Sequence, residues 1–138
     1  MKIVINNRSG GFGLSDEAML RYAELAGITI YLECDHFGAT FHTVPKEQRV
    51  EPLLGAWSSH SLIVRLAYNE RRGKEELYDK DIARNDPFLV QVVEELGERA
   101  DGPYARLIVV DVPDGVHWEL VADDHGCEWI AEKHRTWG

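Results

Sequence analysis

The hydrophobic positions of the first quarter alternate, then repeat at helical spacing, then alternate again. Lys2–Asn6 has the two-residue period of a short β-strand. After Ser15, a favoured N-cap residue, apolar positions recur along one helical stripe, and the stripe ends at Gly27. The two-residue period returns in Ile28–Glu33. This quarter is therefore predicted to form a strand, a Gly-rich turn, a helix and a second strand.

The middle of the chain, from about Cys34 to Arg84, has the weakest pattern. Phe41–Val44 fits a strand, and His60–Asn69 fits either a strand or a short helix. Arg71–Glu76 has the composition of a solvated loop. A long irregular segment is functional, mobile or simply not readable from its pattern, and the sequence leaves these alternatives open. Residues 34–84 are expected to form a loop-rich segment or insertion.

The strongest helical pattern follows this segment. Asp86 is a good N-cap, and Pro87 occupies the first helical position, where its missing N–H does no harm. Gly102 is the expected stop. The apolar residues of the stripe are Leu89, Val92, Val93, Leu96 and Ala100.

Three strands separated by two turns complete the pattern. They are Ala105–Val112, Val116–Ala122 and Cys127–Glu132. Pairing them symmetrically about their turns sets Trp118 opposite Ala131 and makes one face of the resulting meander uniformly apolar. That face is expected to lie under the helices and to bury both of its tryptophans. It comprises Ile108, Val110, Val112, Trp118, Leu120, Cys127, Trp129 and Ala131.

These elements predict an α+β fold with two principal helices on one face of a mainly antiparallel sheet. The sheet contains the C-terminal three-stranded meander, and the first strand and Ile28–Glu33 are expected to join it. The chain has 138 residues, of which 44% are hydrophobic, and this is enough for one domain with its own core. A single domain over residues 1–138 is therefore predicted.

The charge balance restricts the partners. The formal net charge of -9 argues against general nucleic-acid binding and against binding to an anionic membrane, both of which need a basic face. Cys34 and Cys127 are too few for a disulfide scaffold. The N-terminal residues lack the features of a signal peptide, and no apolar run approaches a membrane span, so we expect a cytoplasmic location.

The turn between the first strand and helix is the first candidate site. Backbone N–H groups at a helix N-terminus can hold an anion, glycines allow close approach, and Arg8 adds a cation. The turn does not match a dinucleotide or P-loop fingerprint, so a purely structural turn is the alternative. The residues predicted to bind the ligand are Arg8, Gly10, Gly11, Phe12, Gly13 and Ser15, together with Arg135 and Trp137 of the tail.

The tail enters this prediction because it is basic and aromatic at the end of an acidic chain. Lys133–Gly138 is expected to dock on the domain or on a partner subunit. Alternatively, Arg135 and Trp137 clasp a planar anionic ligand such as a nucleotide. They would do so within one chain or across the subunit interface of a homo-oligomer.

Two further sets of residues have types suited to metals. The predicted register aligns Asp111, His117 and Glu132 across three strands, as a metal site, an oriented base or ordinary cross-strand ion pairs. Cys34, with nearby histidines at 36 and 42, has zinc-binding residue types at a spacing typical of no common site. No established motif supports either set, so we expect no catalytic residues, no metal and no cofactor.

Both ends of the chain carry a family likeness. Ile3–Asn6 followed by Gly10–Ser15, Arg84–Pro87 leading into the second helix, and Glu128–Glu132 near the end form its motifs. In these segments the sequence resembles a family of small uncharacterised phage and prophage proteins. The resemblance implies no activity, but small acidic phage proteins often inhibit a host enzyme or sequester a small signalling molecule.

Three functions are compatible with these residues. The first is non-catalytic binding of a small anionic ligand, such as a nucleotide used in host-defence signalling. The second is a protein–protein inhibitor or interaction module that uses its acidic surface on a host protein. Leu107, Val109, Val121 and Ile130, on the mixed face of the meander, would pack on that partner. The third is a small metal-dependent enzyme.

Overall fold

The computed structural model describes residues 1–36, 38–49 and 55–133. The chain divides into two compact units, which we call the terminal unit (Met1–Ala26 and Asp79–Gly138) and the middle unit (Gly27–Tyr78). Antiparallel strand pairs and α-helices make up the described part, so the predicted α+β class is confirmed. The elements are β1 (Lys2–Asn6), α1 (Asp16–Ala26), β2 (Tyr31–Asp35), β3 (Gly38–His42), α2 (Leu62–Lys74), α3 (Pro87–Leu96), β4 (Leu107–Asp111), β5 (Trp118–Ala122) and β6 (Glu128–Glu132).

The predicted helix starts of the terminal unit are confirmed by their caps. The Ser15 hydroxyl accepts a hydrogen bond from the Ala18 N–H at 3.1 Å at the start of α1. The Asp86 carboxylate accepts from the Phe88 N–H at 2.8 Å at the start of α3. The predicted end of α3 at Gly102 is wrong, because Gly97 adopts a φ of 58° and ends the α-helix there. A short 3-10 turn follows it.

In the terminal unit β4 pairs with β1, where the sequence predicted a meander with β5. Ile3 lies opposite Val110 and Ile5 lies opposite Ile108 in this antiparallel pair. The three β1 residues from 3 to 5 are all buried, so the strand needs cover on both faces. Helix α3 packs on this pair, and β5 and β6 form a separate hairpin. The three-stranded meander is therefore replaced by two two-stranded sheets in the described residues.

The register of the β5–β6 hairpin also differs from prediction by one residue. Leu120 lies opposite Ile130 instead of Trp129. The turn explains the shift: Asp123 N–H donates to the Cys127 carbonyl at 2.9 Å, which leaves an odd, three-residue loop. A one-residue slip exchanges the faces of a strand. Trp129 is consequently 44% exposed, while Ile130 takes the inward position.

The core between the strand pairs uses most of the predicted apolar face. Trp118 is half-buried in it, as expected, and Trp129 is not part of it. Its buried members are Ile3, Ile5 and Val112, against which Ile108, Val110, Val116, Trp118, Leu120 and Ile130 pack.

The middle unit contains the β2–β3 hairpin and α2. The predicted strand Ile28–Glu33 begins at Tyr31 and pairs with β3, not with the strands of the terminal unit. The predicted loop Arg71–Glu76 lies largely within α2, which continues to Lys74. Ion pairs at i,i+4 spacing, such as Arg72–Glu76 at 3.3 Å, stabilise this end of the helix locally. None of the helices in the described ranges is long and apolar enough to cross a membrane.

Candidate functional site

The glycines of the first turn bring three backbone segments into close contact. Gly10 has a φ of 124°, and a Cβ atom there would lie 2.6 Å from the Tyr104 carbonyl oxygen. A Cβ atom on Gly126 would lie 2.6 Å from the Gly11 nitrogen. The Gly10 N–H donates to the His125 carbonyl at 2.7 Å. Only glycine lets these backbone segments approach so closely, whether or not the turn also binds a ligand.

The N–H groups at the entrance to α1 are largely used within the protein. The Leu14 N–H donates to the Asp79 carboxylate at 3.1 Å, and the Ser15 N–H donates to the Ala100 carbonyl at 3.0 Å. A Cβ on Gly102 would lie 2.8 Å from the Gly13 carbonyl carbon, so the backbone segments at Gly13 and Gly102 are also in close contact. Gly13 and Ser15 thus shape the helix entrance, and a carboxylate of the protein already occupies its positive end.

A buried ion pair lies beside Phe12. The Arg84 guanidinium sits 3.5 Å from the centre of the Phe12 ring and donates to both Glu128 oxygens, at 2.6 and 2.9 Å. The Glu128 side chain is 8% exposed and also accepts the Asn6 N–H at 2.8 Å. This bidentate geometry and the extra donor compensate for burying the two charges. Phe12 is consequently part of a structural cluster.

Asn6, which sequence reasoning missed, joins the strands at this place. It is fully buried, and its amide nitrogen donates to the carbonyls of Arg8 and Gly126 at 2.7 and 2.9 Å. Its amide oxygen accepts the Arg106 N–H at 2.9 Å. One side chain therefore positions the backbone at three distant points. The available signal was a polar residue that ends an otherwise apolar strand.

The residues held by Asn6 include two arginines with free guanidinium groups. Arg8 and Arg106 are exposed, and neither side chain has a hydrogen bond or an ion pair within the described residues. The Asn7 N–H donates to the Arg106 carbonyl at 2.8 Å, which places the two segments side by side. Tyr104, in contact with Gly10, is 70% exposed. We call Arg8, Tyr104 and Arg106 the arginine patch.

The other arginines of the terminal unit that the structure describes are paired. Arg21 pairs with Glu95 at 2.8 Å, and Arg99 pairs with Glu17 at 3.2 Å. The hydrogen bond from Arg21 lowers the pKa of the Glu95 carboxyl, and the same contact raises the pKa of Arg21. Both pairs line a groove of about 470 Å³ between α1 and α3. Since the charges that line this groove are paired, the arginine patch is the better candidate for binding an anion.

The predicted row of Asp111, His117 and Glu132 does not form. Asp111 lies opposite Lys2, and Glu132 lies opposite Trp118. The cause is the strand pairing and the one-residue register shift described above. In the part of the chain that the structure describes, no three His, Cys, Asp or Glu residues are placed to hold a metal ion.

The second set of metal-type residues lies on the β2–β3 hairpin. Cys34 is exposed opposite Ala39, and His42 lies opposite Tyr31, so the two are not paired. His42 lies 3.5 Å from the Glu33 carboxylate. Glu33 also accepts from Arg49 at 2.7 Å, and this hydrogen bond lowers the pKa of its carboxyl.

Two other predictions concern the tail and the docking face. Arg135 and Trp137 lie outside the described residues. The mixed face predicted for partner docking is wrong in part, because Leu107 is buried and Ile130 packs on the core. Exposed apolar residues are concentrated on α2 instead, where Ile63 is 80% exposed.

Comparison with known proteins found no match for this chain. No protein-family model, no curated protein and no solved structure matches the chain. The resemblance to phage and prophage proteins stays a prediction from the sequence.

Proposed function

We propose that this protein binds a small anionic ligand, without chemically changing it, at the arginine patch. The observation that carries the proposal concerns Arg8 and Arg106, whose backbones one buried asparagine holds. Their guanidinium groups are exposed and have no partner within the residues that the structure describes. The guanidinium group binds phosphate or carboxylate through two parallel hydrogen bonds. Two of them on neighbouring backbone segments suit a ligand with more than one anionic oxygen.

The charge of the terminal unit makes this patch unusual. The unit contains 17 acidic and nine basic residues, a net charge of -8. In such a field an arginine gains by pairing with a carboxylate, as Arg84 does with Glu128. Arg8 and Arg106 do not pair in the described residues, so both remain available to an external anion.

Nearby carboxylates are occupied by backbone donors. Asp101 accepts the Leu107 N–H at 2.8 Å. Asp123 accepts the N–H groups of His125 and Cys127 at 2.9 and 3.0 Å. These acids stabilise turns, and neither forms an ion pair with Arg8 or Arg106 within the described residues. The preformed backbone also reduces the ordering cost that a ligand would otherwise have to offset.

The remaining described residues of the predicted site hold the turn that carries Arg8 in place. Gly10 permits the close crossing with Tyr104, and Gly126 permits the crossing with Gly11. Phe12, Gly13 and Ser15 hold the turn on the domain through the contacts described above. In this proposal Arg8 contacts the ligand, while the glycines, Phe12 and Ser15 position Arg8.

Calorimetric titration with pyrophosphate tests the proposal. We expect Arg8→Ala and Arg106→Ala each to lower the affinity about tenfold or more, since a hydrogen bond to a charged group contributes about 1.5–3 kcal/mol. Arg99→Ala is the matched control, because it removes the same charge from an exposed arginine that pairs with Glu17.

The control variant should bind pyrophosphate as the unaltered protein does. Absence of binding at millimolar pyrophosphate, or equal weakening by all three substitutions, would show that the arginine patch is not an anion site.

A further inference from the structure

We infer that the ligand of the arginine patch carries a planar ring that stacks on Tyr104, which makes it a nucleotide or a close relative. This inference rests on the proposed function and narrows its ligand class. It follows from the juxtaposition, on two neighbouring backbone segments, of an exposed aromatic ring with two arginines that have no partner within the described residues.

Tyr104 stands out among the described aromatic residues by its exposure. It is 70% exposed, whereas Trp57 and Trp129, the next most exposed large aromatic side chains, are each 44% exposed. An aromatic ring offers a large, flat apolar surface, and folding normally removes much of it from water. Tyr104 retains most of that surface for a second flat molecule.

The backbone that carries Tyr104 is held on both sides. Its Cβ and carbonyl oxygen abut Gly10, where an added Cβ would come within 2.8 and 2.6 Å of them. The next residue, Ala105, is 4% exposed, and its N–H donates to the Gly102 carbonyl at 3.1 Å. A rigidly mounted tyrosine has only two side-chain torsions to order on binding, which keeps the entropic cost low.

The ring and the two cations lie on neighbouring backbone segments. Tyr104 lies in the turn that the Ala105 N–H closes on the Gly102 carbonyl, and Arg106 is exposed two positions further along. Arg8 precedes Gly10, the residue that touches Tyr104, by two positions. A nucleotide has the same combination, with an anionic phosphate joined through a sugar to a planar base. The phosphate would bind the arginines while the base stacks on Tyr104.

Titration with two related probes, adenosine monophosphate and ribose 5-phosphate, isolates the contribution of the ring. Stacking of a base on an aromatic side chain corresponds to an affinity gain of about 5- to 150-fold. We therefore expect the unaltered protein to prefer adenosine monophosphate by a factor in that range. Tyr104→Leu should remove the preference and leave the affinity for ribose 5-phosphate unchanged.

Phe88→Leu is the matched control, because Phe88 is an aromatic residue of the same unit that is 40% exposed and lies away from the patch on α3. It should keep the preference. Equal binding of the two probes by the unaltered protein, or a preference that survives Tyr104→Leu, overturns the stacking inference and leaves the anion site intact. Failure of both probes to bind while pyrophosphate still binds overturns the nucleotide inference alone, and failure of all three removes the anion site as well.

Discussion

The terminal and middle units place their apolar residues in opposite ways. In the terminal unit Ile3, Leu89 and Val92 are fully buried. In the middle unit helix α2 has no buried residue, and Leu62 and Ile63 are 62% and 80% exposed. Helices of similar length thus depend on different interactions, tertiary burial for α3 and local contacts for α2.

The two units also differ in net charge and in how their charges pair. The terminal unit has a net charge of -8, and the middle unit has 7 acidic and 6 basic residues, a net charge of -1. In α2 the charges pair along the helix, as Arg71 does with Glu75 at 3.1 Å. In the terminal unit a buried pair, Arg84–Glu128, joins distant segments, while Arg8 and Arg106 stay free within the described residues. Pairing by itself therefore does not identify a site, and our proposal depends instead on two arginines of an acidic unit that have no partner within the described residues.

Leucine truncation in the two helices is expected to separate the units most strongly. Leu89→Ala in α3 should lower the free energy of unfolding by about 2–5 kcal/mol, because it opens a cavity at a fully buried position. Leu66→Ala in α2 removes a side chain that is 58% exposed and should change it by less than about 0.5 kcal/mol. Urea unfolding followed by circular dichroism measures both. A large loss for Leu66→Ala would mean that α2 is covered in solution and would break the comparison.

Two glycines with nearly equal backbone angles give a smaller difference. Gly10 and Gly38 have φ values of 124° and 119°, so alanine is strained by about 1–3 kcal/mol at either. Only at Gly10 does the new Cβ also collide with a neighbouring backbone, that of Tyr104. Gly10→Ala should therefore lower the free energy of unfolding by about 1–3 kcal/mol more than Gly38→Ala does. Urea midpoints of Gly10→Ala and Gly38→Ala measure the difference. Equal midpoints would contradict the close crossing on which the arginine patch depends.

The smallest expected effect is a loss of stability at alkaline pH that originates in the terminal unit. Burial and a 2.8 Å hydrogen bond to Asp86 raise the pKa of Tyr22 from its usual 10 to about 12. The folded state therefore holds this proton more tightly than the unfolded state. The stabilisation is complete below pH 10 and is lost as the pH rises through about 12.

The free energy of unfolding measured between pH 10 and about 12 should decrease as the pH rises, and Tyr22→Phe should remove this dependence. Tyrosinate absorbance should also lose its late-titrating component in the variant. A slope that persists in Tyr22→Phe would assign the alkaline loss to other groups.

Local structure was largely predictable from the sequence. β1 has the predicted bounds Lys2–Asn6, and α1 and α3 begin at the caps that Ser15 and Asp86 provide. These features depend on residues within a few positions of one another, so a single sequence contains the information. The same reasoning failed at the second hairpin, because the side chain of Asp123 stabilises a three-residue loop where four residues were expected.

The candidate site was predictable only in part. Arg8 and Gly10 were identified from the Gly-rich turn, whereas Asn6, Tyr104 and Arg106 were not. Residues 6 and 106 are separated by 100 positions and meet through the pairing of β1 with β4. Nothing in either segment alone indicates that partner.

By itself the sequence determined the α+β class, the starts of α1 and α3, the excess of acid and the Gly-rich turn. Only the tertiary structure decided which strand pairs with β1, which tryptophan faces the core and which arginines lack a carboxylate partner among the described residues. The physical reason is that period and capping are short-range properties of the chain. Strand pairing and charge pairing depend on which distant segments bury each other, and Asn6 and Glu128 bond to those segments only after they have met.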